Sequence, residues 1–259
     1  MNTYALVTGA SKGIGRSIAL LLAKKGYPVL LVARSADELE ALAQEITALH
    51  HVQAYWLAID LSEPDAADRV ARWCTDNLYS VSVLVNNAGY GLWGKFESLG
   101  IDEQLNMINL NINALIKLTH AFIATLKQQP QAYILNIGST AAYQAVPTMA
   151  IYSATKAFVL SFSRALRYEL KGSPISVSCF CPGPTDTDFT HRAGLDALAD
   201  LAAKFNMQPD EVAALGLKGM FNKKAEIVPG LLNKISTAAG RHLPKALIEK
   251  ITGDLYKVK

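Results

Sequence analysis

Tyr152 and Lys156 stand four residues apart in a stretch that reads as helix from Ala150 to Leu170, so a phenol and an ammonium share one helical face. A free phenol ionises near pH ~10 and is a poor acid or base at neutral pH. A neighbouring ammonium favours the phenolate. A phenol tuned in that way can give a proton to a carbonyl oxygen, or take one from an alcohol. Ser139 precedes Tyr152 by thirteen residues and follows an apolar run, Ala132 to Ile137. A hydroxyl placed there can hydrogen-bond the same oxygen and steady its developing charge. Taken singly, a Tyr–Lys pair also occurs on ordinary helices, and a serine after a strand is often a cap. What surrounds them decides.

Gly9, Gly13 and Gly15 lie between a strand-like run, Tyr4 to Thr8, and a helix-like one, Ile14 to Lys25. Glycines there let the backbone turn sharply and approach a ligand closely. A helix start offers free N–H groups and a positive dipole end to a pyrophosphate, and Ser11, Lys12 and Ile14 complete the turn. The spacing is G-x-x-x-G-x-G, not the general G-x-G-x-x-G fingerprint, and a tight turn without a ligand is the alternative. The next strand ends Leu31-Val32-Ala33-Arg34-Ser35. An Asp or Glu there would bind the ribose 2′-hydroxyl of NAD. Arg34 stands there instead, with Lys12 on the same side, and two cations without an anion suit a 2′-phosphate. Ser35 can cap the following helix or add a hydroxyl to that phosphate. These residues point to NADP(H) as the cofactor.

The elements that must hold these groups alternate along the chain. Apolar runs at Tyr4–Thr8, Pro28–Ala33, Val52–Ile59, Val81–Asn86, Ala132–Ile137 and Ile175–Phe180 read as strands. Helical patterns lie between them, at 14–25, 36–49, 64–78, 101–128 and 150–170. Strands apolar throughout and alternating with helices predict an α/β fold. Right-handed crossovers then make it a single doubly wound, Rossmann-like domain, with a mostly parallel sheet and helices on both faces. Ser139 then falls at the carboxyl edge of the sheet, where ligands bind. No linker divides residues 1–259. The rhythm breaks at Pro182. Residues 183–222, with helical patterns at Arg192–Asn206 and Pro209–Asn222, read as a substrate loop or lid. Ala225–Val228 reads as a last short strand, and 230–259 as a helical extension with helices at Gly230–Arg241 and Pro244–Thr252.

Composition limits the function classes. The chain is 51% hydrophobic and 18% charged over 259 residues, enough to bury a large core. A net charge of +3 does not suggest a nucleic-acid partner. Cys74, Cys179 and Cys181 have the spacing of neither a disulfide framework nor a zinc site, and no metal is expected; Cys179 and Cys181 share one strand face as small buried groups. No targeting segment or membrane-spanning run is visible, so the expected compartment is the cytoplasm and membrane contact is not expected. From Lys218 onward nine Lys/Arg face three acids. This pattern suits a solvated helix face or a subunit contact, and less well an anionic lipid or an acidic acyl carrier.

The motifs together are specific. TGASKGIG at 8–15, Asn86-Asn87-Ala88-Gly89, Ser139, Tyr152-x-x-x-Lys156 and Pro182-Gly183, in that order, resemble the short-chain dehydrogenase/reductase family over residues 3 to 190. The resemblance implies that Asn111, Ser139, Tyr152 and Lys156 form the catalytic set, with Asn111 holding a water that links Lys156 to solvent. Asn109 and Asn113 flank Asn111 and compete for that role. The resemblance also implies that Asp60 and Leu61 lie at the adenine and that Asn87, Ala88 and Gly89 support the cofactor. Lys156 then binds the nicotinamide ribose, and Pro182, Gly183, Thr185 and Thr187 approach the nicotinamide amide. The implied activity is hydride transfer between NADP(H) and a small-molecule carbonyl or secondary alcohol, in a homodimer or homotetramer. An apolar pocket of Leu92, Trp93, Tyr143, Val146, Pro147, Met149 and Phe189 favours a hydrophobic ketone or 3-oxoacyl substrate. His191 and Arg192 fit either an anionic substrate or a solvated loop. A non-catalytic NADP(H) sensor and an epimerase or dehydratase that retains NAD are the alternatives.

Overall fold

In the computed structural model, which describes residues 3–194 and 206–256, the apolar runs form one sheet of seven parallel strands. These are β1 (Tyr4–Thr8), β2 (Val29–Ala33), β3 (Ala54–Ala58), β4 (Val81–Asn86), β5 (Ala132–Ile137), β6 (Ile175–Phe180) and β7 (Glu226–Ile227), in the order β3-β2-β1-β4-β5-β6-β7. The order reverses between β1 and β4, which opens a crevice at their carboxyl ends. Every residue of β2, β4 and β6 is buried, as strands covered on both faces require.

The strand period of two divides the core. Ala5 and Val7 of β1 face α1 (Gly13–Lys24), α2 (Ala36–His50) and, further along, a helix at Pro209–Phe221; Ile18, Leu39, Val85, Leu135 and Phe180 share this layer. Leu6 faces the other way, with Leu84, Ile134 and Val177, onto α3 (Ala66–Asp76) and the helices between β4 and β6. Each fully buried Leu or Ile contributes about 1.5–3 kcal/mol to holding these layers together.

The helix expected over 101–128 forms in three parts. α4 (Ile101–Ile108) runs into a π-helical turn at Asn109–Ala114, and α5 (Leu115–Lys127) continues it. The turn, NLNINA, has three asparagines, which are weak helix formers, and Asn113 Nδ2 donates to Asn109 Oδ1 at 2.8 Å. π-turns of this kind are rare. α6 (Ala150–Glu169) packs beside it.

Beyond β6, α7 (Phe189–Arg192) and α8 (Pro209–Phe221) flank the sheet edge, and the helix expected at 192–206 lies largely outside the described residues. β7 is shorter than the expected 225–228, and Pro229, which has no N–H to give, follows it closely. α9 (Leu231–His242) and α10 (Lys245–Leu255) close the described chain within a residue or three of expectation. Among the described residues no helix is long and apolar enough to cross a membrane, and no cluster of His, Cys, Asp or Glu is arranged to hold a metal ion.

Candidate active site

The glycine turn joins β1 to α1 with Gly9 at φ +61° and Gly13 at φ +53°, both in the left-handed region. Gly15 answers a different need, because a Cβ there would run into the Gly9 carbonyl oxygen and Asn87 Nδ2. Asn87 binds the turn to the end of β4, with Nδ2 donating to Thr8 O at 2.9 Å and to Gly9 O at 3.1 Å. Thr8 Oγ1 accepts from the Asn87 and Ala88 N–H groups at 2.9 and 3.0 Å. Lys12 is the N-cap of α1 and no side chain caps it, so the first-turn amides stay available.

These amides open into a cleft of about 630 Å³. The cleft runs from the glycine turn, past Arg34, Ser35, Asp60 and Leu61, to Asn87–Gly89, then to Ser139, Tyr152 and Lys156, and on to Pro182, Gly183, Thr185 and Thr187. Every catalytic or cofactor residue that the sequence nominates lines it except Asn111. Ser35 sits at the N-cap of α2 but makes no cap bond, which leaves its hydroxyl to the cleft.

The cationic end is more mixed than two cations and no anion. Lys12 Nζ lies 3.0 Å from Glu38 and 3.1 Å from Asp188, and the hydrogen bonds it donates to Glu38 and then Asp188 hold its ammonium above the ordinary lysine range. Arg34 lies 3.9 Å from Asp60, at the outer limit of an ion pair. The strand end carries no carboxylate, as expected, but the first turn of α2 supplies Glu38, at a position where helix N-termini favour anions.

Ser139 and Tyr152 come together at the other end. Burial pushes the Tyr152 phenol up to about 12, and Ser139 beside it pulls the other way. Lys156 is buried, donates from Nζ to Ile137 O at 2.9 Å, and lies 5.7 Å from the centroid of the Tyr152 ring. Burial lowers its ammonium to about 8. Burial thus opposes ionisation of Tyr152, which stands as a neutral phenol at neutral pH.

Asn111 stands behind the cleft lining, close to Lys156. It is buried in the π-turn, its Oδ1 accepts from Tyr90 N at 3.1 Å, and its Nδ2 donates to Tyr90 O at 2.9 Å and Thr155 Oγ1 at 3.1 Å. Those bonds occupy the side chain and tie the 89–90 segment to α6, one residue before Lys156. Gly89 allows the approach, since a Cβ there would stand 2.8 Å from Asn111 Oδ1 and 3.7 Å from Lys156 Nζ.

Of the expected apolar wall, Val146, Met149 and Phe189 line the cleft, and the Phe189 and Tyr152 rings lie 5.5 Å apart. Leu92, Trp93, Tyr143 and Pro147 do not. Tyr143 turns away beneath Arg241, whose guanidinium lies 4.8 Å from its ring centroid; the Trp93 indole is committed to Tyr256 O, and Pro147 packs towards Gly253. His191 also lines the cleft. Leu255, Tyr256, Glu38 and Asp188 line it too, and sequence reasoning missed them, because only the tertiary packing of α10, α2 and the 185–189 segment brings them in. Cys179 and Cys181 are buried behind Gly138 with their sulfurs 3.6 Å apart.

Known proteins resemble this chain in sequence and in fold. The family model described as short chain dehydrogenase matches residues 3–198. Serine 3-dehydrogenase of Agrobacterium fabrum is 32% identical over 191 residues, which cover 73% of this chain and 75% of that protein. A very-long-chain 3-oxoacyl-CoA reductase of Laccaria bicolor is 36% identical over 176 residues, 67% of this chain but only 52% of that protein. Among solved structures, a short-chain dehydrogenase from Sphingobium yanoikuyae in complex with NADPH superposes with a TM-score of 0.82 at 31% identity, covering 99% of this chain and 96% of that one.

Proposed function

The chain belongs to the short-chain dehydrogenase family of oxidoreductases, and from that premise we propose that it is an NADP(H)-dependent carbonyl reductase acting on a hydrophobic ketone or 3-oxoacyl-type substrate. The observation that carries this reading is one continuous cleft, with an uncapped glycine turn and two cations at one end and Ser139, Tyr152 and Lys156 at the other. The residues fit a dinucleotide. The first-turn amides of α1 would hold the pyrophosphate, and Arg34, Lys12 and Ser35 the 2′-phosphate. Asp60 and Leu61 would hold the adenine, Asn87–Gly89 and Lys156 the ribose, and Pro182–Thr187 the nicotinamide amide. When bound, the nicotinamide supplies or accepts a hydride at the substrate carbon.

The chain's own groups manage the proton. Tyr152, neutral at pH 7, holds a proton at Oη and is set to give it to the substrate oxygen. Ser139 Oγ hydrogen-bonds the same oxygen, and its backbone is fixed by the adjoining turn, where Ala141 N donates to Oγ at 3.1 Å. Lys156, anchored on Ile137 O, places a cation beneath the phenol as its charge develops. Asn111 positions α6 and the 89–90 segment. Of residues 183–222, the 183–189 segment borders the cleft and acts as the substrate loop of this single domain, while α8 packs into the core, and exposed Ile101 and Leu105 on α4 suit a homodimer or homotetramer. Support also comes from the related structure that holds NADPH and from the relative named for 3-oxoacyl reduction.

Tyr152→Phe tests the reading. It should abolish NADPH-dependent reduction across a ketone panel and leave NADPH binding, followed by fluorescence titration, unchanged. Undiminished turnover in that variant would refute the assignment.

A further inference from the structure

The substrate end of the cleft is closed by α10, which brings Leu255 and the following Tyr256 to its wall. Several contacts hold its last turn. Thr252 Oγ1 lies 2.8 Å from Ile248 O and 3.2 Å from Ala145 O. A Cβ on Gly253 would meet the Pro147 ring at 3.4 Å. Tyr256 O accepts from Trp93 Nε1 at 2.9 Å and from Thr148 Oγ1 at 2.9 Å, the latter proton being shared with Pro147 O at 2.5 Å. Thr148 has φ +66°, a conformation that is unusual for a β-branched residue. Its carbonyl accepts from Gly94 N at 2.9 Å. One strained residue thus joins the 91–94 segment, the start of the helix that carries Tyr152, and the Tyr256 backbone.

The bonds from Trp93 and Thr148 both end on the Tyr256 main chain, which leaves its phenol to the cleft. Burial pushes that phenol up, and its charge would oppose ionisation of Tyr152, so the two phenols stand at the same end. Among the described residues the Tyr256 hydroxyl has no hydrogen-bond partner. The cleft lining includes apolar Ala141, Val146, Met149, Phe189 and Leu255 together with polar Ser139, Gln144 and His191. Tyr256 is half-buried, and once a substrate shuts water out of this end, one that fails to satisfy the hydroxyl leaves it unpaired, which discriminates strongly.

We propose that Tyr256 is a specificity-determining residue: its hydroxyl donates to an acceptor on the longer arm of a ketone, so the site selects ketones with a second oxygen, such as 3-oxo esters, over alkyl ketones of equal length. This rests on the carbonyl-reductase reading. The test compares a 3-oxo ethyl ester with the matched alkyl ketone in wild type and Tyr256→Phe, a variant that keeps the ring and every main-chain bond. The ratio of kcat/KM, ester over ketone, should fall about tenfold, mainly through KM, with the Kd for NADPH unchanged. Calorimetric binding of the two ketones to the NADP⁺-saturated protein should show the same fall. An unchanged ratio, or a loss of NADPH affinity alongside it, overturns the proposal. If wild type turns over neither ketone, the carbonyl-reductase reading fails, and the calorimetric ratio alone decides the role of Tyr256.

Discussion

Lys156→Met replaces a buried ammonium by an apolar chain of similar length, and its effect can be worked out in advance. Burial lowers the ammonium from 10.5 to about 8. At ~1.4 kcal/mol for each unit, the charged form costs the folded protein ~3 kcal/mol at neutral pH. Methionine removes that cost but also the bond to Ile137 O, whose loss costs ~1–2 kcal/mol. The variant should therefore be ~1–2 kcal/mol more stable than wild type at pH 7 while losing the site's cation. The sign with pH follows from linkage. Between the folded and unfolded values the unfolded chain binds more protons, so wild type gains stability as pH rises, and the variant does not. About 2 kcal/mol of the difference should disappear between pH ~7 and ~9.5. Urea unfolding of both proteins without cofactor, at a series of pH values, measures it, and the tyrosines common to both cancel. A difference that stays flat with pH would refute the reasoning, since it would mean that Lys156 carries no burial penalty.

Other expectations follow from the same geometry. Arg34→Glu should weaken NADPH binding by roughly ten- to a hundredfold and NADH binding far less, while Glu38→Gln, which removes one of the two carboxylates on Lys12, should tighten NADPH binding at low salt and lose that advantage at high salt; paired titrations of the two dinucleotides check both. Asn111→Leu strands the Tyr90 N–H and C=O groups that Asn111 now satisfies, and should destabilise the protein by ~2–4 kcal/mol, read by denaturant midpoint. Thermal or chemical unfolding at wild-type values would show that the π-turn holds without it.

What was legible in the sequence divides along the cleft. The cofactor end depends on local chemistry. A glycine needed for a positive φ, a strand end that does or does not carry a carboxylate, and two groups four apart on a helix are each visible within a few residues. Every nominated residue there lines the cleft. Charges arriving from other elements were not visible, which is why Glu38 and Asp188 around Lys12 had to be found in the structure. Asn111 was legible as a position but not as a geometry. A residue added to a helical turn rotates everything after it, and no periodicity in NLNINA announces that. The substrate end was least legible. Trp93, Tyr143 and Pro147 look like lining by composition, yet each is committed elsewhere. Tyr256 stands more than a hundred residues from Tyr152 in sequence and reaches the site only through the docking of α10.

Two departures from ordinary packing rules at that cleft bear on activity. A fold selected only for stability would keep a β-branched residue out of the left-handed region at Thr148 and exclude a lysine from a buried helix face. This chain does the reverse in both cases: Thr148 sits at φ +66°, and Lys156 is 6% exposed. A strained φ costs of order 1–3 kcal/mol, and the buried ammonium a similar amount. The lysine lies beneath the phenol, and the threonine holds the helix that closes the cleft. A chain that had kept the fold but lost turnover would be free to shed both, because neither the Lys156 burial nor the Thr148 strain helps to retain a dinucleotide phosphate. Their presence favours a working oxidoreductase over a passive dinucleotide-binding module, and Lys156→Met, expected to be more stable and less active, puts that trade-off in a single variant.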